Sequence, residues 1–145
     1  MGGVVFDSSV YIDSIRTGNG SIFADRRIDI DGESKTVHLS SVVLQELNAG
    51  AVDNVMVKLL AKFENDFDKS KRLLVPNLND WKTTGQVLLQ IGKKYGFEQI
   101  KRSRMTNDCL IAMSARRCGL IVITTNTSDF QMIAEFRPFS LLCSK

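Results

Sequence analysis

The 145-residue chain is short of the features that mark out several large protein classes. It has no apolar run near the ~20 residues of a membrane span. Its opening, MGGVVFDSSV, lacks a basic region followed by an apolar one and a small-residue cleavage site. No secretory signal is therefore expected, and the cytoplasm is the expected location. Three cysteines (Cys109, Cys118, Cys143) form no CxxC pair, and their number is odd. All three lie in apolar sequence, which predicts buried thiols in a reducing compartment rather than a disulfide. The single histidine, His38, is not read as a general base. No repeat, low-complexity segment or long linker divides the chain, so residues 1–145 are expected to form one domain with a real core.

Charge is the first positive signal. The net value is only +3, but it is unevenly spread. Residues 1–80 carry 9 Lys/Arg against 12 Asp/Glu, and residues 81–145 carry 10 against 4. The second half holds Lys93-Lys94, Lys101-Arg102-Ser103-Arg104 and Arg116-Arg117. Such a distribution suits a polyanion partner, and it suits a solvated basic face equally well.

Short apolar runs alternate with helical patterns. Val4-Val5-Phe6 predicts a strand ending in Asp7, with Ser8 and Ser9 placed to cap a helix over Val10 to Arg16. Residues 21–35 are polar and charged and read as a loop, with room for a short edge strand. Thr36 to Leu39 predicts a second strand, followed by a helix capped at Ser40-Ser41 and interrupted at Asn48-Ala49-Gly50. An amphipathic helix follows over residues 51–63, with Glu64 to Arg72 as a charged connector. Leu73 to Val75 predicts a third strand, and Asn79 or Asp80 a cap for the helix that contains Trp81. Phe97 to Ser103 reads as a basic loop. A helix from Met105 to Cys118 is stopped by Gly119. The β-branched run Leu120 to Thr124 is that of a strand covered on both faces. A short helix is expected from Ser128 or Asp129, and Pro138 to Leu142 as a last edge strand. This alternation predicts an α/β fold, a parallel sheet with helices on both faces.

In such sheets ligands bind beyond the carboxyl ends of the strands. Four acids are predicted at that edge: Asp7 after the first strand, Glu46 early in the helix after the second, Asp108 at the start of the helix before the buried strand, and Asp129 after that strand. Ala112 and Ala115 follow Asp108 at helical spacing and let its helix pack closely. Taken singly, each acid could be a cap, a turn former or a solvated side chain. Together, ionised and close, they would repel strongly, and a hard cation such as Mg2+ or Mn2+ relieves that. Paired ions ~4 Å apart could align water with a phosphodiester.

The segments VVFDSSVYI, SSVVLQEL, TNDCLIAMSARRCG and IVITTNTSDF, in this order and spacing, resemble the PIN domain, and within it the small VapC-like toxins of prokaryotic toxin–antitoxin pairs. The resemblance spans nearly the whole chain. It implies a three-layer sandwich, a central parallel sheet of four or five strands flanked by helices, and metal-dependent hydrolysis of RNA phosphodiesters. It carries over Asp7, Glu46, Asp108 and Asp129 as the catalytic and metal-binding acids, with Asn126 as a further metal-site position. Ser8 and Thr124 become supporting hydroxyls. It also implies an antitoxin partner, laying an apolar helix in a groove for which the 51–63 helix is a candidate wall, and homodimerisation. Residues 18–35 are longer and more charged than in compact toxins, and the basic segment 97–104 falls outside the matched pattern. Lys101, Arg102 and Arg104, just ahead of Asp108, are the expected RNA contacts; Arg116 and Arg117, at the far end of that helix, are discounted. A non-catalytic PIN-like binding module is the alternative. A phosphatase is disfavoured because Asp7-Ser8-Ser9 lacks the Asp-x-Asp pattern, and a receiver domain because its acidic pair and late strand-end Lys are missing.

Overall fold

The structure is a computed structural model that describes residues 2–102 and 105–144, without the side chains of Gln99, Lys101 and Arg102. Its strands are β1 (Gly3–Phe6), β2 (Arg27–Ile30), β3 (Glu33–Ser40), β4 (Leu73–Leu74), β5 (Ile121–Thr124) and β6 (Leu141–Cys143). Its helices are α1 (Ser8–Arg16), α2 (Ser41–Ala49), α3 (Asn54–Lys69), α4 (Leu78–Tyr95), α5 (Phe97–Arg102), α6 (Met105–Cys118) and α7 (Thr127–Phe136). Among the described residues the strands form one six-stranded sheet in the order β2-β3-β1-β5-β6, with β4 also paired to β3. Every pairing is parallel except β2 with β3. β1 lies in the middle and is buried at all four positions, as its unbroken apolar run requires.

The departure from a purely parallel sheet falls where the sequence was read as a loop. Residues 27–40 form a hairpin in which Ile30 faces Glu33 across Asp31-Gly32. Both turn residues have positive φ, 52° and 82°, as a two-residue hairpin turn demands. Ile28 and Ile30 pack against the core while Arg27 and Asp29 point outward, so the Asp-Gly signal flanked by alternating residues was present. β2 raises the strand count above the expected four or five.

Other boundaries move for local reasons. The charged stretch 64–72 is largely helical, because Phe67 continues the apolar stripe of Leu60 and Phe63 and all three are buried. Phe63 stacks edge-on with Phe67, Phe23 and Tyr11 at centroid distances of 5.0, 5.1 and 5.4 Å. The helix after β4 starts two residues before the expected cap. Asn77 accepts from the Asp80 N–H and Asp80 accepts from the Asn77 N–H, a reciprocal capping box. Phe97 to Arg102 is a short helix rather than a loop. Its first ring lies against Gly92, where an added Cβ would stand 2.2 Å from the ring, so only glycine lets α5 seat there. The cysteines are all free, but Cys118 and Cys143 are exposed. Cys109 alone is buried, and burial pushes its thiol up to about 12.

Arg117 has a structural place. Its Nε donates to Asp80 Oδ2 at 2.9 Å and its terminal nitrogen to the Val75 carbonyl at 3.2 Å. The Asp80 side chain is 3% exposed, so losing this donor leaves a buried carboxylate short of its charged partner. Because Arg117 itself is partly solvated, Arg117→Ala is expected to destabilise by about 1–2 kcal/mol. The exposed neighbour change Arg116→Ala should stay within about 0.5 kcal/mol. Urea denaturation of both variants measures the difference, and equal effects would refute this role for Arg117.

Candidate functional site

The register of β1 and β5 builds the site. Val4, Val5 and Phe6 pair with Ile121, Val122 and Ile123, and the Asp7 N–H donates to the Ile123 carbonyl at 3.0 Å. Asp7 and Thr124 are therefore delivered side by side where the two strands end. Asp7 occupies the N-cap position of α1, where the Val10 N–H bears on its carboxylate. The carboxylate is held chiefly by two hydroxyls. Ser9 Oγ donates to Oδ1 at 2.5 Å, and Thr124 Oγ1 donates to Oδ2 at 2.8 Å.

Both hydroxyls are also held by the backbone. The Thr125 N–H donates to Ser9 Oγ at 3.1 Å, and the Asn126 N–H donates to Thr124 Oγ1 at 3.0 Å. A backbone N–H can only donate, so each hydroxyl accepts from the turn after β5 and is left with its own proton for Asp7. Sequence reading had placed Ser8 in the hydroxyl role. Ser8 is buried, but the hydroxyl on Asp7 is that of Ser9, two residues along, on the turn of helix that faces β5.

Asp7 is 5% exposed. Burial holds its carboxyl above the usual range, and the negative charge of Glu46 adds to this. The Ser9 and Thr124 hydroxyls and the Val10 N–H act the other way, favouring the ionised form, without overcoming burial. Glu46 reaches this point because Ser40, fully buried at the end of β3, accepts from the Val42 N–H and starts α2 there. Glu46 is half-buried on that helix.

The other acids stand on helix starts. Asp108 lies in the first turn of α6 and Asp129 in the first turn of α7, both half-buried. α7 leaves the end of β5, and α6 runs back to its beginning, so both first turns lie towards the edge where Asp7 sits. Ala112 and Ala115 are fully buried on α6, as the close-packing argument expected. Asn126 is the N-cap of α7 and exposed, and its side-chain carbonyl accepts from Ser128 Oγ at 3.1 Å. Asp7 and Glu46 are thus brought into electrostatic contact. The four acids are not gathered into one coordination sphere: among the described residues no three His, Cys, Asp or Glu side chains are grouped to hold an ion. Arg104 and the side chains of Lys101 and Arg102 lie outside the described residues.

The donor set is nevertheless all oxygen. A buried carboxylate facing a second one is a pair whose repulsion a hard divalent cation offsets. His38 lies back on β3 with its ring packed on Gly3, and burial, with Arg72 nearby, pushes its imidazole down.

The chain belongs to the PIN domain family: the PIN domain model matches residues 4–135. Among solved structures, it is similar over 99% of its length to 98% of a chain of DNA-bound VapBC from Salmonella typhimurium, with 21% identity and a TM-score of 0.62. It is likewise similar over 98% of both chains to one in VapBC2 from Rickettsia felis bound to a promoter DNA fragment, with 17% identity and a TM-score of 0.60. A chain of VapBC-1 from nontypeable Haemophilus influenzae shares 22% identity over 97% of this chain and 96% of that one, with a TM-score of 0.54. No curated protein matches the sequence. The described helices include none long and apolar enough to cross a membrane.

The raised carboxyl of Asp7 has a consequence for stability. Its folded pKa lies above the ordinary 3.8 of the unfolded chain. The stability it lends is fully present below that unfolded value and lost as pH rises through the folded one. Asp7→Asn cannot ionise, and Thr124 can turn its proton to the Asn126 carbonyl, 3.2 Å away, to accept from the new amide. Metal-free thermal melts should show the variant more stable than the natural protein at neutral pH. The gap should close as pH falls below about 4. A gap that does not change with pH would refute this reading of Asp7.

Proposed function

We propose that this chain is a divalent-metal-dependent endoribonuclease and the toxin of a toxin–antitoxin pair. The observation that carries the reading is the buried Asp7 carboxylate, clamped at the ends of β1 and β5 and set against Glu46. Membership of the PIN domain family supports it, and so does the likeness to chains from VapBC complexes.

In this reading Asp7, Glu46, Asp108 and Asp129 hold Mg2+ or Mn2+, with Asn126 as a further oxygen donor. Such an ion supplies charge stabilisation to a phosphodiester and a water activated for in-line attack. The work of the chain is positional. Ser9 and Thr124 fix both Asp7 oxygens within the electrostatic reach of Glu46. Thr124 also ties the turn that carries Asn126 to the end of β5. Lys101, Arg102 and Arg104, leading into α6, hold the RNA backbone beside Asp108.

An antitoxin has a fitting place. A groove of about 390 Å³ runs between α1, α2 and α3, walled by Ile12, Ile15, Leu47, Val52 and Met56. Glu46 forms part of the same wall. An apolar helix laid there would bring a basic side chain within reach of the acids, linking inhibition to the site itself. Homodimerisation in the cytoplasm belongs to the same proposal.

Incubation of total RNA with Mg2+, followed by mapping of cleavage sites, tests the reading. Asp7→Asn and Asp108→Asn should each lower cleavage by roughly 10²-fold or more while the fold persists by circular dichroism. Chelation should abolish activity and Mn2+ restore it. Full activity in either variant would sink the site assignment. Failure both to bind Mn2+ and to cut any RNA would favour the non-catalytic binding module.

A further inference from the structure

Most of the molecule's exposed apolar residues fall on helix flanks, but one aromatic borders a pocket shared with the helices that carry Glu46 and Asp108. Trp81, in the first turn of α4, is 55% exposed. It borders a pocket of about 190 Å³ whose other walls include Val42, Gln45, Pro76, Asn107 and Leu110. Two of these are sequence neighbours of proposed site acids: Gln45 precedes Glu46 on α2, and Asn107 precedes Asp108 on α6. The pocket thus lies on the same two helices as Glu46 and Asp108, which pack against one another, on faces next to those that carry the acids.

The chemistry of the lining is mixed in a particular way. One wall is a flat indole with proline and aliphatic neighbours, and the other carries two primary amides. An amide offers both a donor and an acceptor, the complement of a nucleobase edge. Among the described residues no ionised side chain lines the pocket. The opening is far too small for a helix of another protein and wide enough for one planar ring. The helical turn that carries Trp81 is also held firmly. The capping box of Asn77 and Asp80 sits immediately before it, and Arg117 braces Asp80 from α6.

We infer that this pocket is a base-binding subsite, in which one unpaired nucleobase of the substrate strand stacks on Trp81 and is read by Gln45 and Asn107. The subsite rests on the nuclease reading above and adds the substrate form: a single strand with an unstacked base beside the scissile bond.

Trp81 is the sole tryptophan of the chain, so its fluorescence reports the pocket directly. The full-length protein, free of divalent metal, is titrated with a short single-stranded oligoribonucleotide and with an abasic oligomer of the same length. In parallel, KM and kcat for a mapped RNA substrate are measured for the natural protein, Trp81→Ala, Trp81→Phe and Asp7→Asn. Saturable quenching by the base-bearing strand, weak or none with the abasic one, is expected. Trp81→Ala should raise KM by about 5- to 150-fold, the range set by loss of one base–aromatic stack, with kcat little changed. Trp81→Phe should recover most of that loss. Asp7-dependent cleavage with an unaltered KM in Trp81→Ala, and no quenching, would overturn the subsite and leave the nuclease reading standing. Equal quenching by both strands would reduce the contact to backbone binding and overturn base recognition. No cleavage of any RNA and no quenching would overturn both readings. If Trp81→Ala instead turns a dimer into a monomer by sedimentation, and RNA does not quench, the face joins copies of this chain and the subsite is wrong.

Discussion

Asp7 is held where water hardly reaches it, at the end of the central strand, with each carboxylate oxygen tied to a hydroxyl that the backbone has already committed. Much of the surrounding structure serves that placement. β1 and β5 must pair in one register for Thr124 to arrive beside Asp7. The turn after β5 must present two consecutive amides for the hydroxyls to point their protons inward. A one-residue slip would turn Thr124 to the other face of the sheet and leave the carboxylate with one donor fewer. The cost of burying the charge is thus converted into a demand on register, and the apolar run of β5, packed on both faces, meets it.

The same economy extends outward. α6 can lie close to the sheet because Ala112 and Ala115 present little bulk, and its far end is anchored by Arg117 on Asp80. That ion pair couples the starting turn of α4 to the last turn of α6. α6, whose first turn carries Asp108, is therefore braced at its opposite end. Rigidity at the edge comes from packing and capping, and the acids themselves contribute repulsion.

The parts of this architecture that were legible in advance are those written in local pattern. The strand runs of β1 and β5, the stop at Gly119 and the cap at Ser40 were all readable, and so were the positions of Asp7 at a strand end and of Asp108 and Asp129 in the first turns of their helices. The hairpin at Asp31-Gly32 was legible in principle, but its alternation is weak, with isoleucines among charges, and the charges dominated the reading. The extension of α3 through Phe67 was hidden for the same reason. Ser9 could not be told from Ser8, because choosing between adjacent hydroxyls depends on the exact turn of helix that faces β5. The brace from Arg117 to Asp80 was beyond reach, since it joins residues 37 apart and looks in sequence like an ordinary basic pair. Long-range side-chain partnerships need the fold first.

The bond between Thr124 and Asp7 spans 117 residues of chain. During synthesis, at ~5–20 residues per second, β1 and β3 are available to pair long before β5 exists. The early half of the domain can gather with Asp7 still open to water and free to ionise. Only when β5 leaves the ribosome does the second hydroxyl close over it. The last third of the polypeptide supplies the Thr124 half of the clamp, and a prematurely terminated product would hold the Asp7 carboxylate by the Ser9 hydroxyl without it.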